Sequence, residues 1–279
     1  MNSLETQIAR AIDGRHPLIY VQIPEEDRVQ RALEALAAEY LEDGAVYTWS
    51  CVDGLSMAAG DSDTRDPVDA LRQIVADAQP GFYMFRDLPA HLHRPDVVRA
   101  LRDAYAALKR EQNVAVVVVS PAGEYPVELE KELCHIEAEL PDKDEVRRRI
   151  EQVTAEHPGQ ELAADLIDNI VLTLRGLTLN ETEHVMHRVL ACRLASREEI
   201  LDAIFEQKKR LASRHGYLDF VPQPDNMDVI GGLSNVKDWA EKRKDLFTQK
   251  AVDAGLPIPG GVLIMGVSGC GKSLLAKAI

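Results

Sequence analysis

The first 140 residues alternate short apolar runs with spacers of helical length, and this pattern constrains the fold more than any other feature of the chain. Spacers of that length between strands favour right-handed crossovers and a parallel sheet with helices on both faces. The most strand-like run, at 114–120, is rich in valine and favours a buried strand. The predicted strands are 17–24, 45–52, 81–85, 114–120 and 134–140.

The spacers carry apolar residues at helical spacing, and after Pro141 the pattern changes to helices alone. The sequence therefore predicts an α/β fold: a parallel-sheet, P-loop-type, three-layer core over 1–140, followed by a helical lid over 141–215. The predicted helices are 3–13, 25–42, 67–78, 95–111 and 126–133 in the core, and 143–156, 161–175, 180–195 and 197–215 in the lid.

A second unit is predicted to follow a linker at 216–228, which contains two prolines and little periodicity. It begins at 229 with a Gly-Gly turn and continues with a helix near 234–251, a strand at 262–265 and a helix at 274–279. We expect 229–279 to be poorly ordered in isolation, because a single apolar strand leaves its edges unpaired.

Composition limits the classes of function. The chain has 279 residues, with 32 basic and 46 acidic side chains and a formal net charge of −14. This charge argues against sequence-independent binding to nucleic acid or to an anionic membrane, both of which need a basic face. The apolar runs are too short for a membrane helix, and the first residues lack a signal-peptide core. Four cysteines without a CxxC pair agree with reduced thiols, and we expect a cytoplasmic protein.

Residues 266–273 match the phosphate-binding pattern G-x-x-x-x-G-K-[ST] and lie between a predicted strand and a predicted helix. Its glycines allow the backbone N–H groups to point at phosphate oxygens. Lys272 is predicted to reach the β- and γ-phosphates, and the Ser273 hydroxyl to bind Mg²⁺. The competing interpretation is a glycine-rich turn without a ligand. The candidate phosphate-binding residues are Gly266, Val267, Ser268, Gly269, Cys270, Gly271, Lys272, Ser273 and Leu274.

Cys270 lies inside this loop, next to a predicted helix start. One interpretation is a small side chain at a variable position. The other is an oxidation switch, because thiols at helix N-termini can have a lowered pKa.

The segment from Pro257 through the loop to Ile279 resembles the nucleotide-binding core of the AAA+ ATPases. Upstream, DVIGGL at 228–233 resembles the segment that precedes the core in that family. By this resemblance Val229, Ile230 and Gly231 lie beside the adenine of ATP. Many members have an acid where this chain has Val229, which puts a polar adenine contact there in doubt.

Further stretches resemble, more narrowly, the uncharacterised AAA+ ATPases encoded by conserved reading frames of cyanobacteria and plastid genomes. In such proteins a degenerate ATPase-like domain precedes the active one. Here Pro24-Glu25-Glu26-Asp27 stands where a first phosphate loop would follow the first strand. We expect its three carboxylates to satisfy the dipole of their own helix and to repel a triphosphate. Asp87, after the strand at 81–85, is interpreted as a turn or cap residue, and a Mg²⁺-binding role is the alternative.

The resemblance implies a Mg²⁺-dependent ATPase that binds and hydrolyses ATP, forms homo-oligomeric rings and remodels or regulates proteins. The family's Walker B acids, sensors and arginine finger lie beyond Ser273, so we expect no catalytic residue in this chain and interpret it as an inactive N-terminal fragment. One alternative is a non-enzymatic protein-interaction module with a relic phosphate loop. Another is a small-molecule kinase or GTPase, which shares the loop but not the GGL segment.

Overall fold

The computed structural model describes residues 3–41, 45–56, 63–77, 79–111, 113–159, 162–192, 196–212, 231–243, 246, 263–267 and 271–278. The chain forms two compact units, Met1–Ile204 and Phe205–Ile279. None of the helices within these described ranges is both long and apolar enough to cross a membrane.

The first unit contains a six-stranded sheet in the order β3-β2-β4-β5-β1-β6. All pairings are parallel except that of β2 with the short strand β3. The predicted five-strand parallel sheet is therefore confirmed, and its order is consistent with a P-loop α/β fold. The strands are β1 Leu18–Gln22, β2 Ala45–Ser50, β3 Gly54–Leu55, β4 Gly81–Arg86, β5 Val114–Ser120 and β6 Cys134–Glu137.

Helices cover both faces of this sheet, as the alternating pattern predicts. The helices of the α/β layer are α1 Ser3–Asp13, α2 Glu26–Tyr40, α3 Pro67–Asp77 and α4 Pro95–Leu108. Odd and even positions of β5 face opposite sides, so that Val116 joins the core under α3 and α4, whereas Val117 joins the core under α1 and α2. Burial on both faces explains why the central strands are apolar runs rather than alternating patterns.

Two local predictions are wrong. The segment 126–133 is predicted to be helical, but forms only the short 3-10 helix Val127–Leu129. The glycine-rich loop after β2 contains β3, which the sequence does not predict because it has no apolar run. Gly54 there has a φ of +76°, and a Cβ at that position would lie 2.7 Å from the Thr64 hydroxyl. This hairpin therefore depends on glycine.

A helical block, defined here as α5 Lys143–Ala155, α6 Ala164–Leu174 and α7 Leu179–Ala191, follows the sheet as predicted. Capping boxes start α5 at Asp142 and α7 at Thr178. α8 Arg197–Ala212 continues across the boundary between the two units.

A buried ion pair joins the α/β layer to the helical block. Nε and Nη2 of Arg28 on α2 donate to the two carboxylate oxygens of Glu145 on α5, at 3.2 and 2.8 Å. The two side chains are only 4% and 6% exposed. Nη1 of Arg28 donates to the Glu139 carbonyl at 2.7 Å, and Glu145 also accepts from the Asp142 backbone N–H at 3.1 Å. Each charge is thus held by several hydrogen bonds, as a buried pair requires.

The second unit contributes α9 Ser234–Glu241 and α10 Lys272–Ala278. The strand predicted at 262–265 is wrong for its described part, since residues 263–265 carry no strand pairing. Leu263 and Met265 are 81% and 82% exposed. A strand needs a neighbouring strand to bond its backbone, and none of the residues that the structure describes provides one here.

Replacing Arg28 by alanine leaves the Glu145 carboxylate buried without its counter-charge. We expect Arg28→Ala to lower the free energy of unfolding of the first unit by about 3–5 kcal/mol. Urea titration in a Trp239→Phe background measures this, because the fluorescence then reports Trp49, which is 1% exposed in the first core.

The matched control is Arg72→Ala, which removes an exposed pair with Asp69 on α3. We expect a loss below about 1 kcal/mol there. Equal losses in the two variants would contradict the role given to the buried pair.

Candidate functional site

The phosphate-loop motif lies in the second unit, where its described residues form a strand-less segment, a turn and α10. Lys272 is the first residue of α10, and its ammonium group donates to the carbonyls of Gly266 at 2.9 Å and Val267 at 2.6 Å. Gly271, directly before it, has a φ of +82°, in the region that favours glycine. The geometry thus turns the lysine side chain back over the start of the loop.

These residues fit the phosphate groups of a nucleotide. The Lys272 ammonium donates to the carbonyl oxygens of Gly266 and Val267, at the start of the loop. The Ser273 side chain, one position further on, is exposed. A lysine and a hydroxyl at adjacent positions are the donor set that phosphate oxygens and a bound Mg²⁺ need.

The remaining predicted binding residues divide into two groups. Gly231 and Leu274 are exposed, Leu274 by 40%. Val229, Ile230, Ser268, Gly269 and Cys270 lie outside the described residues. The assignment of all of these residues to ATP stays a prediction.

The carboxyl edge of the sheet in the first unit is built differently. In a parallel sheet this edge is the usual ligand site, because the strands end there together. After β1 it carries Glu25 and Glu26, and at the end of β4 it carries Arg86, which Asp87 follows. Arg86 Nε lies 3.1 Å from Glu26 Oε2, and Arg86 Nη2 donates to Gln30 at 2.8 Å. The edge is therefore filled by the protein's own ion pair.

Glu25 corrects one expectation from the sequence. It occupies the N-cap position of α2 but makes no side-chain capping bond to that helix. Its carboxylate Oε1 instead accepts the backbone N–H of Asn180 at 2.9 Å, in the first turn of α7. The sequence predicts that this carboxylate interacts with the N-terminus of α2, but it binds the N-terminus of α7 in the helical block instead.

Burial is the main influence on the charge of Glu25. The residue is 4% exposed. Desolvation raises the pKa of its carboxyl above the ordinary value, against the opposing effects of the Asn180 hydrogen bond and the positive charge of Arg28. Burial likewise raises the pKa of Glu26, against the attraction of Arg86.

Asp87 begins the 3-10 helix Leu88–His91 with a φ of +53° and makes no side-chain capping bond. Its backbone N–H donates to the Val119 carbonyl at 3.1 Å, which agrees with its interpretation as a turn residue. The carboxylates of Glu25 and Glu26 stand where a phosphate loop would hold its ligand, so the residues at this edge do not fit a triphosphate.

The contacts of Arg28 with Glu145 and Glu139, and the contact of Glu25 with Asn180, were not found from the sequence. One signal was present: Arg28 lies on the buried face of α2, beside Val29 and Ala32. A charged residue on such a face needs a partner. The partner, however, is 117 residues away in the chain.

Comparison with known proteins shows what the chain is similar to. Residues 4–138 match the family model described as "SpoVK-like AAA ATPase, N-terminal domain". The chain is 30% identical over 272 residues to the uncharacterized AAA domain-containing protein ycf46 of Guillardia theta, a match that covers 96% of this chain and 53% of that protein. The corresponding protein of Trieres chinensis is 28% identical over 96% of this chain and 54% of its own length. The chain thus spans about half the length of the curated relatives it matches.

Two solved structures show a more distant likeness. PCH-2 of C. elegans has a TM-score of 0.46 and 8% identity, and the match covers 75% of this chain and 66% of that chain. Domain III of the replication initiation protein DnaA of Thermotoga maritima has a TM-score of 0.46 and 11% identity, with 73% and 90% covered.

The sequence matches define the class: the chain is related to the AAA domain-containing proteins. Within that class its relatives are the ycf46 AAA domain-containing proteins, and its first unit is similar to the N-terminal domain of SpoVK-like AAA ATPases. The resemblance stated from the sequence is confirmed.

The raised pKa of Glu25 has a defined effect on stability. The folded protein holds this proton to a higher pH than the unfolded chain, so the free energy of unfolding falls as pH rises above about 4.5, the ordinary value for glutamic acid. We expect Glu25→Gln to remove this fall, because glutamine does not ionise. The measurement is the unfolding free energy of both proteins between pH 4.5 and 8.

Glu25→Ala serves as the comparison at pH 7, since it deletes the acceptor for Asn180 as well as the charge. We expect it to be less stable than Glu25→Gln by about 1–3 kcal/mol. An identical pH dependence in Glu25→Gln and the unmodified protein would show that this carboxyl does not titrate as described.

Proposed function

We propose that the chain is the N-terminal part of a cytoplasmic, Mg²⁺-dependent AAA+ ATPase that forms homo-oligomeric rings and remodels or regulates other proteins. The observation that carries the proposal is the Lys272 ammonium, which is turned over the start of a complete phosphate-loop motif. The AAA ATPase relationship supports the ring and the use of ATP.

In this proposal Lys272 binds the β- and γ-phosphates, and Ser273 holds the metal ion. On nucleotide binding, the phosphate oxygens replace the Gly266 and Val267 carbonyls as partners of the ammonium. Mg²⁺ supplies charge neutralisation at the phosphates. Val229, Ile230 and Gly231 are proposed to line the adenine site.

The segment 1–215 is proposed as a non-catalytic regulatory or adaptor domain, with the core at 1–140 and the lid at 141–215, and the linker at 216–228 follows it. The Glu26–Arg86 pair and the buried Glu25 support this proposal, because Glu26 pairs with Arg86 and Glu25 binds Asn180 where a phosphate loop would hold its ligand. The same contacts favour the second candidate function, in which the chain serves only as a protein-interaction module.

Nucleotide binding separates the two candidates. We expect the chain to bind ATP in the presence of Mg²⁺. We expect the Lys272→Ala variant to lose that binding, because the Lys272 ammonium is the main positive charge of the phosphate loop. Isothermal titration calorimetry with ATP and Mg²⁺ measures both proteins. We expect Ser273→Ala to keep binding without Mg²⁺ but to lose the gain in affinity that Mg²⁺ gives.

The matched control is Lys242→Ala, which removes an exposed lysine of the same unit at the C-cap of α9. It should bind ATP as the unmodified chain does. Undiminished ATP binding by Lys272→Ala, or no binding by the unmodified chain, would favour the interaction module.

A further inference from the structure

A carboxylate of the α/β layer occupies the N-terminus of α7 in the helical block. The first turn of this helix offers the backbone N–H groups of Leu179, Asn180 and Glu181. The capping residue Thr178 accepts the N–H of Glu181 at 3.2 Å. Glu25 accepts that of Asn180 at 2.9 Å. One donor of this turn is thus satisfied from another layer of the fold.

This arrangement is the one in which proteins hold phosphate groups. Helix N-termini bind phosphates through free N–H groups and the positive end of the helix dipole. Glu25 also comes directly before α2, at the strand-to-helix junction where P-loop proteins place their phosphate loop. The Glu25 carboxylate therefore lies between α2 and α7, the two elements that a bound phosphate would bridge.

Two cationic side chains favour the charged form of Glu25, against the larger effect of its burial. The positive charges of Arg28 and Arg149 act on its carboxylate. Arg28 in turn is bound to Glu145, and Arg149 donates to Glu183 at 2.9 Å. The carboxylate is 4% exposed, so solvent does little to screen these interactions.

We propose that Glu25 is an internal substitute for a nucleotide phosphate and holds the helical block against the α/β layer without any nucleotide. In an ATPase domain that uses a bound nucleotide for this contact, the position of the lid depends on the nucleotide state. In the first unit of this chain a side chain of the protein itself makes this contact, and the position of α7 is independent of ATP. Glu25 is thus a positioning residue for the helical block.

The test removes the internal anion and then supplies an external one. In a Lys272→Ala background, which removes the phosphate loop of the second unit, Glu25→Ala vacates the N-terminus of α7. We expect hydrogen exchange of the Asn180 amide to accelerate about tenfold, as for one lost hydrogen bond to a charged group. Inorganic phosphate should slow it again, whereas sodium chloride at equal ionic strength should not.

Two controls distinguish this from a general effect of salt or of losing a glutamate. The Lys272→Ala parent should show no response to phosphate at α7, because Glu25 already fills the position. Glu39→Ala, an exposed glutamate on the same helix α2, should leave exchange at Asn180 unchanged in both salts.

The proposal is overturned if Glu25→Ala leaves exchange at α7 unchanged, or if phosphate protects the parent and the variant equally. Should Glu25→Ala not fold in either salt, Glu25→Ser is measured in the same way, since serine is too short to reach α7 but leaves a smaller gap. The same two results then decide.

Discussion

The position of the helical block depends on the buried pair of Arg28 and Glu145. Glu145 completes the capping box of α5 and receives two nitrogens of Arg28, whose third nitrogen binds the Glu139 carbonyl. Two buried charges are expensive to remove from water, so such a pair adds more to the specificity of an arrangement than to its stability. Because the guanidinium is planar and its bonds are directional, the pair fixes α5 relative to α2. α7 packs against α5, and Asn180 is thereby brought to Glu25.

Most of the fold could be predicted from local patterns, because residues that are adjacent in the chain determine them. The valine-rich run of β5 and the helical spacing of apolar residues in α2 are of this kind. The failures are non-local. β3 exists only because it pairs with β2, and residues 263–265 lack a neighbouring strand among the described residues. Of the candidate site, the loop around Lys272 was found from its motif, whereas the contact from Glu25 to Asn180 spans 155 residues and left no local signal.

The segments before α2 and before α10 differ in charge, and charge decides which ligands each segment favours. After β1, the residues before α2 are acidic, and their partners are Arg86 and the N-terminus of α7. Before α10 the chain has Gly271, and the Lys272 ammonium at the start of that helix donates to the Gly266 and Val267 carbonyls. In the proposed function a phosphate oxygen is attracted by Lys272 and repelled by the carboxylates before α2, and a few kilocalories per mole at short range are enough to separate the two segments.

This contrast bears on how a regulatory domain could work in the proposed ATPase. A lid that is held by a bound nucleotide reports the nucleotide state, because each hydrolysis event changes the ligand that supports it. A lid held by Glu25 keeps the same contact in every nucleotide state, so its position does not depend on whether ATP or its products are bound. Any signal that passes through the first unit must then come from a partner that competes for its contacts. The buried acid thus makes the first unit a fixed scaffold and leaves nucleotide-dependent change to the second.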